Sequence, residues 1–224
     1  MKIISGLITK DLLQLKSYRK TLIIFILIFV FTGIEQETTK GVGVMIAVML
    51  TFGFGMFGMA TFNYDEQSKT DRYILTFPLT KKEILISKYI LIISSTIIGA
   101  IVGIIASFLI VFIIDKQLPS LYDYINVELG GILGVGLIEA IQIPCVYKWG
   151  AEKGRIQMFI VAAIILLLLG GIFLIGQDAN LNLPVNNIFK MINDFLPIIL
   201  ILATLIIYYI SYIVSYKIYK NKEE

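Results

Sequence analysis

Residues 63–88 read NYDEQSKTDRYILTFPLTKKEILISK, a polar stretch between two long apolar runs, and the topology turns on it. It holds four acids (Asp65, Glu66, Asp71, Glu83) and five bases (Lys69, Arg72, Lys81, Lys82, Lys88). Two short helices are expected in it. Asp65 can cap the first, which runs to about Ile74. Pro78 then breaks the chain, since proline has no N–H and disfavours helix in the residue before it. Thr80 opens the second helix, with Glu83 three residues on. That spacing is a capping box: the hydroxyl takes the amide of Glu83, and the carboxylate reaches back to the amide of Thr80. The second helix runs without a break into the apolar run from Tyr89. The stretch therefore predicts a charged helical elbow, rigidly joined to a membrane-crossing helix and suited to carry force from a partner. It fits equally a solvated connector with no partner.

Outward from the elbow, the chain is apolar. Of its 224 residues 58% are hydrophobic, and the mean hydropathy is +0.87. Several runs exceed about 18 residues, the length that marks a membrane-spanning helix. No polar stretch reaches domain size. There is no histidine and one cysteine, Cys145, which excludes an internal disulfide and a histidine-bearing metal site. The first residues do not read as a cleaved signal peptide.

In chain order, apolar Ile3, Ile4, Leu7, Ile8, Leu12 and Leu15 form a helical stripe, with Lys2, Thr9, Lys10, Asp11 and Gln14 elsewhere. Residues 1–20 thus predict a helix lying in the membrane interface; packing of that helix on its own membrane domain is compatible with the same pattern. Six spans follow, at about 21–34, 41–62, 89–114, 126–146, 156–176 and 195–216. Orientation comes from the bases. The amino-terminal segment, 63–88, 147–155 and the tail hold 16 of the 19 Lys and Arg, leaving Lys40, Lys116 and Lys190 for the other side. This bias puts both termini and the elbow in the cytoplasm, in a multi-pass protein of the cell membrane. The net charge of +3 is a topological signal and does not indicate nucleic-acid binding.

Glu139 is the sharpest chemical signal. It sits inside the fourth expected span, with Gln142 one turn on and Pro144 following. A carboxylate facing lipid is costly, so Glu139 should face a bundle interior or a wet path. Lining the substrate path with Gln142, and simple hydrogen-bonded packing, both remain open. Gly53, Gly55 and Gly58 formally match a dinucleotide fingerprint, but without a preceding strand they read as close helix packing, as do Gly99/Gly103 and Gly130/Gly134, whether within one chain or between two. The tyrosines at 208, 209, 212, 216 and 219 predict an interfacial belt, and Cys145 reads as an inert small residue. No G-x4-G-K-[ST], H-E-x-x-H or G-x-S-x-G occurs and no paired intramembrane acids are expected, so the chain has no visible apparatus for ATP binding or hydrolytic chemistry.

A short amphipathic helix, six spans and a loop carrying Tyr64, Asp65, Glu66, Lys69, Asp71, Pro78, Leu79, Thr80, Lys81, Lys82, Glu83, Ile84, Lys88 and Tyr89 resemble the ABC-2 type transporter permeases. The resemblance covers the whole chain through topology and is specific over 63–88. It implies an all-α polytopic membrane protein forming one transmembrane domain, with an interface helix that includes Lys10 and Asp11. It further implies a coupling loop at 63–88 that docks on a separate ABC ATPase subunit, present in two copies. Asp65, Glu66, Lys69, Asp71, Arg72, Pro78, Thr80, Lys81, Lys82 and Glu83 would serve that coupling. ATP and Mg would be bound by the partner and none by this chain, which would be a transport subunit and not an enzyme. A second permease chain, identical or a sister, would complete the path. Small amphipathic helices before the last span would match 183–193. By size and composition the chain is similar to small Gram-positive-style members that export amphipathic peptides, including bacteriocin-type peptides and phenol-soluble modulins. Export as a direction comes from the resemblance alone. The competing function is a non-transporting immunity or assembly protein that binds a peptide or partner in the membrane.

Overall fold

The computed structural model describes residues 2–18, 20–21, 23–24, 26–28, 39–70, 74, 76–116, 121–154, 156, 159–160 and 186–221. Among the described residues the chain is helical: α1 (Lys2–Leu15), α2 (Thr39–Gln67), α3 (Lys81–Asp115), α4 (Leu121–Trp149) and α5 (Asn186–Asn221), with one 3-10 turn at Lys16–Tyr18. Four of these stretches are long and apolar enough to cross a membrane: Met45–Gln67, Lys81–Ile113, Tyr124–Trp149 and Pro197–Asn221. They correspond to the second, third, fourth and sixth expected spans. The expected span at 156–176 lies almost wholly, and that at 21–34 partly, outside the described residues.

α2 and α3 share the largest interface, α4 and α5 the next, and α2 joins the two pairs by packing on α4. The α2–α3 contact is close because its seam lacks side chains. A Cβ on Gly103 would lie 2.7 Å from the Ala47 carbonyl oxygen, and one on Gly99 3.1 Å from Thr51 Cα. Such approach is how helices gain contact in lipid, where hydrophobic burial drives little. A Cβ at Gly130 or Gly134 would meet nothing within 4 Å among the described residues, so any close packing at this pair is not with those residues of the same chain. The outer faces of α3 and α5, with Ile101, Ile105, Leu205 and Ile206, are exposed and apolar, which suits hydrocarbon.

Two local expectations are corrected. α2 does not stop at residue 62 but runs on through Gln67, so Asp65 is an interior residue of its last turn and caps nothing. The helix ends at Gln67, and the chain turns at Lys69, whose φ of 53° is left-handed. The amphipathic helix expected over 183–193 is, from Asn186 on, the first part of α5 itself.

Candidate functional site

The elbow end of the bundle is built around Thr80. Its backbone is extended (φ −80°, ψ 145°), as an N-cap requires. The Glu83 amide donates to Thr80 Oγ1 at 3.3 Å, and the Thr80 amide donates to Glu83 Oε2 at 2.9 Å. The predicted capping box therefore forms, and α3 extends from it for 35 residues. Ahead of it lies a tight turn, with the Phe77 amide on the Ile74 carbonyl at 3.2 Å and the Leu79 amide on the Phe77 carbonyl at 2.6 Å. This turn presents Phe77, 60% exposed, and Pro78 to the outside. Asp71 and Arg72 lie outside the described residues.

Behind the elbow, four charges close into a square. Lys10 reaches Asp11 at 2.9 Å and Asp65 at 2.8 Å; Lys88 reaches Asp11 at 3.0 Å and Asp65 at 2.5 Å. Gln14 Nε2 adds a bond to Asp65 at 3.0 Å. Asp11 and Asp65 are buried, as is Lys88. Two acids balance two bases, which is the condition for burying any of them. The square fastens α1 to both α2 and α3. Partial burial works to lower the Lys10 pKa, but its bonds to Asp65 and Asp11 outweigh that and raise it above the usual lysine value. A raised lysine stabilises the fold below its ordinary pKa, and the gain is lost only as pH climbs through the raised value.

The square explains the orientation of α1. Asp11 is buried, while Leu12 and Leu13 stay more than half exposed. The polar side of this helix is turned onto the bundle, where its counter-charges wait, and an apolar pair is left facing outward.

The remaining elbow residues separate. Glu66 is exposed and accepts from the Ala151 amide at 2.5 Å. It thereby caps the helical turn 151–154 that follows α4, just after Gly150 with its φ of 88°. Lys81 sits 5.7 Å from the Tyr219 ring centroid and Lys82 5.4 Å from that of Tyr216, so the elbow also grips the end of α5.

Glu139 lies deeper and is fully buried. Thr96 Oγ1 of α3 donates to its Oε1 at 2.8 Å, and the Tyr208 hydroxyl of α5 donates to Oε2. A Cβ on Gly55 of α2 would overlap Oε1, so the glycine makes room for the carboxylate. All four apolar helices meet at this side chain. Gln142 is also buried, its Oε1 without a hydrogen-bond partner among the described residues. Neither residue lines the groove of about 440 Å³ between α4 and α5. The tyrosines expected as a belt divide: Tyr209 is 66% exposed, whereas Tyr208 is buried against Glu139.

Sequence reasoning passed over Glu128, a second buried acid of α4, which accepts from Thr51 Oγ1 of α2. The signal was available: Glu128 and Glu139 stand 11 residues apart, about three turns, and so share a helix face. It also passed over Tyr208 and Lys88, which local patterning did not distinguish from belt and loop residues.

Among the described residues the site is made of three joints: a capped elbow, an ionic square behind it and a buried carboxylate at the crossing of the helices. No curated protein matches this chain. A model of the ABC-2 family transporter proteins matches residues 6–220, and the chain therefore belongs to that family, as a membrane permease subunit that works with a partner ATPase.

Proposed function

We propose that this subunit docks its ATPase through the turn at 76–80 and exports amphipathic or hydrophobic peptides. The observation that carries the docking is the exposed Phe77–Pro78 turn, fused by the Thr80–Glu83 box to a membrane-crossing helix. A push on that turn acts on α3 as on a lever, because the cap leaves no frayed segment to absorb it. Two ATPase copies carrying ATP and Mg would serve two permease chains. The 16-to-3 division of bases supports six spans with both termini and the elbow in the cytoplasm of a cell-membrane protein. Asp71 and Arg72 would set register by charge complementarity.

The test joins the chain to its ATPase and follows ATP-driven movement of a fluorescent amphipathic helical peptide into inside-out vesicles. Phe77→Asp should weaken co-purification of the ATPase about tenfold, as expected for an aromatic anchor at an interface. Undiminished docking would remove the turn from the interface. Docking and hydrolysis without peptide uptake would overturn the peptide substrate. A wild-type chain that never binds an ATPase would favour the immunity or assembly function instead.

A further inference from the structure

Pro144 lies inside α4. Because proline has no N–H, the Ala140 carbonyl four residues back loses its partner within the helix. Inside a membrane such a carbonyl must be satisfied from elsewhere. Ser211 of α5 does this, its hydroxyl donating to the Ala140 oxygen at 2.6 Å. That uses the only proton of Ser211, so its oxygen accepts from the Tyr89 hydroxyl at 2.7 Å. The Tyr89 oxygen in turn accepts from Ser215 at 2.9 Å. Tyr89, Ser211 and Ser215 are all buried. The relay runs one way, from Ser215 through Tyr89 and Ser211 to the break in α4, and it ties α3, α4 and α5 together.

Its place in the chain matters. Tyr89 follows Lys88 of the ionic square and stands in the third turn of α3 after the Thr80 cap. The helix that carries the elbow therefore holds α5 by a stiff phenol. α5 is the least buried of the four apolar helices. Ser211 and Pro144 also line the α4–α5 groove, together with Cys145 and Val214. Opening the square would strand buried charge, whereas opening the relay strands only neutral hydroxyls and one carbonyl. Of these two joints, the relay opens at the lower cost.

We propose that Tyr89 is the positioning residue through which movement of the elbow reaches α5: it holds Ser211 on the Pro144 break and so sets the width of the α4–α5 groove. This rests on the elbow being the seat of the ATPase.

Cys145 is the chain's single cysteine and lines the groove, so its labelling rate by a membrane-permeant maleimide reports the width. In vesicles holding the chain alone, Tyr89→Phe should speed labelling about fivefold, the effect of one buried hydrogen bond on an opening equilibrium. Equal rates overturn the strut. In vesicles holding the complex, ATP with vanadate should change the wild-type rate. Tyr89→Phe should abolish that change while ATP hydrolysis continues. A change that survives Tyr89→Phe, or a hydrolysing wild type that shows none, overturns the proposal. Absence of any bound ATPase overturns the elbow assignment instead, and the chain alone still decides the strut. If Tyr89→Phe does not fold, Ser211→Ala removes the same link from the other side and carries both arms. Pro144→Ala returns a backbone donor to Ala140. In that background the effect of Ser211→Ala should fall below about twofold; an undiminished effect overturns the part played by the break.

Discussion

At the elbow end, Lys10, Asp11, Asp65 and Lys88 neutralise one another, while deeper in the bundle the hydrogen bonds of Glu139 among the described residues come from the hydroxyls of Thr96 and Tyr208. Both clusters are buried, and both join helices distant in sequence. The difference follows depth. Glu139 lies ten residues before the end of α4, about 15 Å by helical rise, and a lysine brought that far would itself need burying. Closer to the elbow, Lys10 within α1 and Lys88, two turns into α3, reach the acids with their long side chains. The boundary cluster is therefore strong and resists opening. The interior one is a set of neutral donors around one acid, and the Tyr89 relay beside it is neutral throughout, hydroxyls ending on a carbonyl.

Breaking the square should have the largest effect. Lys88→Met leaves two buried acids with one base and should cost about 3–5 kcal/mol, read as a lower unfolding temperature of the purified chain. A loss near zero would mean that water reaches the square and that the contrast with the interior is smaller than the geometry implies. Crowding the interior cluster comes next. Gly55→Ala places a methyl on Glu139 Oε1 and should destabilise by about 1–3 kcal/mol. Adding Glu139→Ala should restore part of that loss by vacating the space, and additivity of the two would show that the residues do not meet. The smallest effect belongs to the elbow. Thr80→Ala removes an exposed cap worth about 1 kcal/mol. It should leave the unfolding temperature nearly unchanged, yet raise amide hydrogen exchange over the first turn of α3. Exchange that stays at the wild-type level would show that the cap does not stiffen the lever.

The elbow was legible because its signals are local: a proline, and a threonine three residues before a glutamate. Asp65 was misread for a related reason. An acid at the start of a polar stretch is a good N-cap, but the helix before it continues because Lys10 and Lys88 supply charge to its last turn. Nothing within four residues of Asp65 announces those partners. Glu139 was recognisable as buried from cost alone, since no carboxylate sits cheaply in lipid. That it is enclosed by Thr96 and Tyr208 depends on the rotation of three helices about their axes.

By itself, then, the sequence determined an all-helical membrane protein with a capped elbow, because span length, apolar runs and caps are set by residues a few positions apart. Only the tertiary structure decided which buried groups share a bond. Asp65 lies 55 residues from Lys10, Lys88 lies 77 from Asp11 and Tyr89 lies 122 from Ser211. Such pairings are chosen by how helices approach and turn, and the glycines at 99 and 103 that permit the approach specify closeness without naming a partner.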